Sequence, residues 1–210
     1  MKLNVALCIH PVVEHYNVVK WAIEEEGDSV RVYAKETTLE QFVDDKIDFI
    51  VSYGYKYLIK GELLAQYENR IVNLHPSFLP WGRGYFPNFW SHVYDFPKGV
   101  SIHYINAGID TGHILAQREH TFTESDTLRT TYYNLQTSML CLFSKSWRDI
   151  RSHSITPIEQ DLSSGNLFYK KDFDLVSPLL ENGFDASLAD IHALRNAIKE
   201  KLIARGRKRG

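Results

Sequence analysis

The chain opens on a short apolar run, Leu3 to Ile9, that stops at His10-Pro11. A run of that length bounded by a turn signal predicts a buried strand. Val18, Val19, Ala22 and Ile23 then recur at helical spacing up to Gly27, which predicts a helix with a glycine stop. Ser29 to Ala34 reads as a second strand. Thr38 to Asp45 reads as a short helix with Thr37 or Thr38 as N-cap and Leu39, Phe42 and Val43 on one face. Ile47 to Tyr53 is again continuous and apolar, and the resulting β-α-β-α-β order calls for a parallel sheet with helices on its faces.

Further along, Leu63 to Tyr67 predicts a brief helix, and Arg70 to Leu74 a fourth strand that ends in His-Pro. Val100 to Ile105 and Ile114 to His120 predict two more strands. Thr127 to Trp147 carries Leu128, Tyr132, Leu135, Met139, Leu142 and Phe143 at helical spacing without Gly or Pro, the clearest helix in the chain. Beyond Ile155, Ile158 to Leu162 and Leu167 to Tyr169 flank Ser163-Ser164-Gly165-Asn166 and predict a hairpin, after which Leu188 to Ala204 predicts a closing helix. The fold class is therefore α/β, a mainly parallel sheet flanked by helices. We place a main domain over residues 1–150 and a small hairpin-plus-helix appendage over 151–210, a length that suits one well-buried core.

Charge narrows the function classes. Lys and Arg number 24 against 26 Asp and Glu, so no global positive field exists to hold a polyanion, and general nucleic-acid binding is disfavoured. The basic run Arg205-Gly206-Arg207-Lys208-Arg209 reads as a frayed, solvated tail. Cys8 and Cys141 lie far apart without CxxC spacing, which predicts buried thiols in a reducing compartment and no metal. No apolar stretch reaches the ~18 to 20 residues of a membrane span. The N-terminus also lacks a cleavable leader pattern, so the expectation is a cytoplasmic protein with no membrane partner.

Candidate chemistry lies in the middle. Asn73-Leu74-His75-Pro76-Ser77-Phe78-Leu79-Pro80 sets an amide and an imidazole two residues apart at a strand end, and that spacing turns both to one face. An imidazole carries a proton between an attacking amine and a leaving nitrogen, and an amide N–H stabilises an oxyanion. Taken alone, a His before Pro is more often a structural hydrogen-bonder. Gly99 to Gly112 is a strand running into a loop with one acid, Asp110, at its tip. That acid suits orienting His75, although Asp110-Thr111-Gly112 by itself also reads as a simple turn.

Together and in this order, Asn-x-His-Pro-Ser-x-Leu-Pro and the later Gly99-Val100, His103, Asp110 and Gly112 resemble the formyltetrahydrofolate-dependent formyltransferase family, closely over residues 47–147 and loosely elsewhere. The resemblance implies a Rossmann-like formyltransferase fold and a formyl group delivered from 10-formyltetrahydrofolate to a primary amine, with no metal. It makes Asn73, His75 and Asp110 the catalytic trio and gives Ser77 no nucleophilic role. It places the folate's pterin against Tyr55, Lys56, Tyr57, Leu58 and Ile59 on one wall and Asn106, Ala107 and Gly108 on the other. His103 takes a supporting role, positioning Asp110 or substrate.

Three acceptors compete within that family. His10-Pro11-Val12-Val13-Glu14 has no glycine and carries a carboxylate, unlike the phosphate-cradling loop of the glycinamide ribonucleotide enzymes. Residues 151–210 predict a hairpin and a helix rather than the basic oligonucleotide-binding barrel of the tRNA-directed enzymes. The run Leu79 to Ser91 is instead similar to the Arg-Gly-x-x-Pro-x-x-Trp stretch of the amino-sugar N-formyltransferases. That makes Arg83 and Trp90 the acceptor-side candidates, Arg83 for an anionic group and Trp90 for stacking on a ring. The expected acceptor is a nucleotide-linked 4-amino-4,6-dideoxysugar or a nonulosonic-acid-type sugar for surface glycans, with a homodimer as one possible assembly. Another amine acceptor, or a non-catalytic folate-binding module, is the alternative.

Overall fold

Strand and helix alternate through the first half of the chain in a computed structural model that describes residues 1–207. In order come β1 (Asn4–Ile9), α1 (Tyr16–Glu25), β2 (Ser29–Tyr33), α2 (Leu39–Asp44), β3 (Phe49–Tyr53), α3 (Glu62–Gln66), β4 (Ile71–His75) and β5 (Arg83–Gly84). There follow α4 (Pro87–Tyr94), β6 (Lys98–Tyr104), β7 (Ile114–His120), α5 (Leu128–Arg151), β8 (Leu167–Phe168), α6 (Lys170–Val176) and α7 (Leu188–Arg207). Gly27, at φ +82°, takes the chain out of α1 in the left-handed conformation that glycine adopts without strain. Thr38 caps α2 in a reciprocal capping box with Gln41.

Two compact units divide the chain. The first holds residues 1–75, 101–118 and 138–160, and the second holds 76–100, 119–137 and the chain from 161 onward. The break expected at residue 150 therefore falls inside the first unit.

In the first unit the sheet order is β2-β1-β3-β4-β6-β7. The first four strands pair in parallel, and β6 runs antiparallel to β4. The continuous apolar runs form the central strands because both faces are covered, and β3 is buried along its whole length. Asp28 is buried and receives Trp147 Nε1 at 3.1 Å and a bidentate Arg151 guanidinium at 2.6 Å, so its charge is paired rather than left bare. Val43 is 54% exposed and does not join Phe42 in the core.

The second unit has its own core, built from Phe89, Trp90, Val93, Leu128, Phe168, Phe173, Val176, Ile191 and Ile198. It is held partly by a parallel pairing of β5 with β8. The expected hairpin is absent. Ile158 bridges to Ile114 in the first unit, and Leu167–Phe168 pairs with Arg83–Gly84 in the second. Gly165, which read as a turn signal, marks close backbone approach instead, and so does Gly84. A Cβ on Gly84 would stand 2.2 Å from the Phe168 carbonyl oxygen, and one on Gly165 2.0 Å from that of Pro80. Tyr132, expected on the buried face of α5, is 46% exposed. Arg205 does not fray, since it donates to the Lys171 carbonyl and to Asp172 within α7's packing on α6. Lys208 and Arg209 lie outside the described residues.

His92 on α4 is a costly polar group of the second unit. Its ring is buried, and neither nitrogen has a hydrogen-bond partner among the described residues. Burial, with Lys98 and His192 nearby, pushes its pKa down to about 3, against the opposing pull of Asp95 and Asp126. The unfolded chain protonates near 6.5, so the unfolded state binds the extra proton first as pH falls. Stability is fully present above that value and is lost between pH 6.5 and 3, by about 2 kcal/mol between pH 7 and pH 5. Thermal melts of the wild type and His92→Leu across that range should show the slope in the first and its removal in the second. Parallel slopes would rule out His92 as the source.

Candidate active site

Pairing register brings the polar residues together. Asn73 on β4 stands directly opposite His103 on the antiparallel β6, and next to Ser52 on the parallel β3. Cross-strand partners share a face of the sheet, so these three side chains converge beyond the carboxyl ends of β3 and β4, where open α/β sheets bind ligands. His75, two residues on, ends β4.

His103 is fully buried and donates Nδ1–H to the Tyr104 carbonyl at 2.8 Å. In the neutral ring this leaves Nε2 as an acceptor, 3.3 Å from Asn73 Nδ2. That contact turns the amide so that its NH2 group faces His103 and its second N–H is free to meet a ligand. Asp110 carries Oδ1 3.5 Å from His103 Nε2 and Oδ2 3.7 Å from His75 Nδ1. The two imidazole rings are nearly perpendicular, 6.0 Å between centroids, with the carboxylate close to both. His75 and Asp110 are both largely buried, a setting that strengthens charge interactions.

Beside these groups lies a cavity of about 270 Å³, lined by Ser52, Asn73, His103 and two walls. One wall is Tyr55, Tyr57, Leu58, Ile59 and Lys60, and the other is Ile105 to Asp110. Tyr55 is held by its hydroxyl on the Lys35 carbonyl and by an edge contact with Tyr57. Asn106 Oδ1 accepts from Gly108 N–H and from the Thr111 hydroxyl, which folds the second wall. Apolar flanks with polar groups at one end suit a flat heteroaromatic ring whose reactive substituent meets Asn73 and Asp110.

Most residues expected around the pterin do line this cavity. Lys56 does not: its side chain is exposed, with Nζ over the Tyr57 ring. Ser52, Lys60 and Ile105 also line it and were not expected there. Ser52 becomes visible only through its register with Asn73, which needs the strand order.

The acceptor-side expectations fare differently. Trp90 is fully buried, stacked on Phe168 at 4.3 Å and 10° with Nε1 donating to the Tyr85 carbonyl. No face is left for a sugar, so the expectation that it stacks on substrate is corrected. Arg83 is half-buried in β5 with no hydrogen-bond partner for its Nε among the described residues. Ser77 is buried and donates to the Trp81 carbonyl, a structural role.

Comparison with known proteins fits this geometry. Residues 11–142 match the family model described as formyl transferase. The chain is 32% identical to the phosphoribosylglycinamide formyltransferase of Bacillus subtilis, over 56% of this chain and 60% of that protein. It is 33% identical to the dTDP-4-amino-4,6-dideoxyglucose formyltransferase of Mycobacterium tuberculosis, over 62% of this chain and 54% of that one. The chain thus spans little more than half the length of these two curated relatives. Its structure superposes on the formyltransferase PseJ of Anoxybacillus kamchatkensis with a TM-score of 0.82 at 37% identity, covering 90% of this chain and 97% of that one. That protein was solved with UDP-4,6-dideoxy-4-formamido-L-AltNAc and tetrahydrofolate.

Proposed function

Because the chain belongs to the formyl transferase family, we propose that it moves a formyl group from 10-formyltetrahydrofolate to the primary amine of a nucleotide-linked 4-amino-4,6-dideoxysugar, a step toward surface glycans. The observation that carries the acceptor is extent of likeness. Superposition on the sugar enzyme from Anoxybacillus runs through 90% of the chain at 37% identity, whereas superposition on the phosphoribosylglycinamide formyltransferase of Bacillus halodurans covers 72% at 25% identity.

The folate would lie in the cavity between Tyr55–Lys60 and Ile105–Asp110. When bound, it supplies the formyl carbon as the electrophile. The chain's own residues then have separable tasks. Asn73 offers its free N–H to the oxygen that gains charge as the amine attacks. His75 accepts the amine's proton and returns it to the leaving nitrogen, and Asp110 holds the imidazole and stabilises its charged form. His103 fixes the Asn73 amide and borders the carboxylate from the cavity's own lining. Arg83, with a donor unsatisfied, is our candidate for an anionic group of the acceptor.

The test presents UDP- and dTDP-linked 4-amino-4,6-dideoxysugars, glycinamide ribonucleotide and methionyl-tRNA in competition with 10-formyltetrahydrofolate. Mass spectrometry should find one added formyl group on a sugar nucleotide. Preference for the ribonucleotide or the tRNA would overturn the acceptor. Absence of saturable binding of a tetrahydrofolate analogue by calorimetry would overturn the donor.

A further inference from the structure

Gln160 lies beyond α5, outside every stretch that carries the motifs, yet its buried side chain reaches the catalytic loop. Its Nε2 donates to the Asp110 carbonyl at 3.0 Å and to the Gly112 carbonyl at 2.6 Å, bracketing Thr111. The segment that carries it is registered close by, through reciprocal 2.8 Å backbone bonds between Ile114 and Ile158.

The loop needs such a hold. Asp110 sits at φ +52°, a left-handed conformation that costs a residue with a Cβ about 1–2 kcal/mol. Gly112 is pressed onto β6 so closely that a Cβ there would stand 1.8 Å from the Tyr104 carbonyl oxygen. Bonds within the loop, from Gly108 and Thr111 to Asn106, shape it but tie it to nothing outside. Gln160 supplies an external tie on the main chain of Asp110 itself.

We propose that Gln160 is a positioning residue for the formyl transfer, clamping the Asp110 and Gly112 carbonyls so that the Asp110 carboxylate stays between His75 and His103. This rests on the catalytic reading of Asp110 given above. A donor on each carbonyl fixes the peptide planes on both sides of Thr111, and those planes set where the Asp110 side chain leaves the backbone. Without them the loop relaxes toward less strained backbone angles and the carboxylate drifts from contacts that are already 3.5 and 3.7 Å long.

The experiment compares wild type, Gln160→Leu, Asp110→Asn and the double variant, with Gln160→Met as a second donor-free replacement should leucine lower the yield. Misplacement of a catalytic group by about an ångström costs up to ~100-fold, so kcat of Gln160→Leu should fall about 10- to 100-fold while KM for both substrates stays within about twofold. Hydrogen exchange at the amides of residues 108–112 in the ligand-free protein should speed up. In the Asp110→Asn background the same replacement should cost less than about twofold more, because both changes act on one group. General damage to the fold would instead multiply the two losses. A multiplicative loss, unchanged loop exchange, or an unchanged kcat beside a slow Asp110→Asn overturns the clamp alone. Full turnover by Asp110→Asn overturns the catalytic reading and the positioning role with it.

Discussion

Replacing His75 by alanine is expected to reduce formyl transfer by about 10²- to 10⁴-fold, the usual contribution of a positioned proton carrier, in a protein that still folds and still binds a tetrahydrofolate analogue. The expectation follows from where the ring sits. His75 closes β4 with Nδ1 3.7 Å from the Asp110 carboxylate, an arrangement that stabilises the imidazole's charged form as it takes a proton. An amine that attacks without losing its proton forms a charged adduct that reverts, and His103, the other imidazole beside Asp110, is committed elsewhere. His103 is buried, with Nδ1 given to the Tyr104 carbonyl and Nε2 facing Asn73. The cavity proposed for the folate does not include His75 in its lining, so donor affinity should survive the change. Steady-state kinetics beside calorimetry separates the two quantities. Turnover within tenfold of wild type would move the proton-transfer role elsewhere.

The middle of the sheet was legible because β1 and β3 are buried on both faces and therefore written as unbroken apolar runs. The juxtaposition of Asn73 and His75 was legible for an equally local reason, their two-residue spacing on an extended strand. What the sequence hides is contact between distant segments. That His103 faces Asn73 follows from the antiparallel register of β4 and β6, and nothing in either strand announces that they are neighbours. Gln160 is a single polar residue in an irregular stretch, and its bonds to Asp110 and Gly112 cross 50 and 48 positions of chain. Gly165 misled for a physical reason too. Ser163-Ser164-Gly165-Asn166 has the composition of a turn, yet Gly165 is small because another backbone passes against it, a requirement that local pattern does not distinguish from a turn.

Trp90 shows the same ambiguity at an aromatic residue, and its substitution separates the two readings. Leu79 to Ser91 is rich in rings, glycine and proline, a composition shared by a carbohydrate-binding loop and by a short helix packed into a small core. The structure takes the second course. Pro87 opens α4 at its first turn, Asn88 ties that turn to the start of α5 through the Leu128 carbonyl and Thr131, and Trp90 is thereby driven inward between Phe89 and Phe168. Trp90→Ala is expected to destabilise the protein by about 3–5 kcal/mol, the cost of emptying a packed indole site, with the bond to the Tyr85 carbonyl lost as well. Trp90→Phe should cost less, since a ring still faces Phe168. Urea melts measure the first effect. Kinetics of Trp90→Phe at low temperature measure the second, and KM for the amine acceptor should stay near the wild-type value. A rise in that KM with unaltered stability would return Trp90 to the acceptor site and leave the core of the second unit without its largest member.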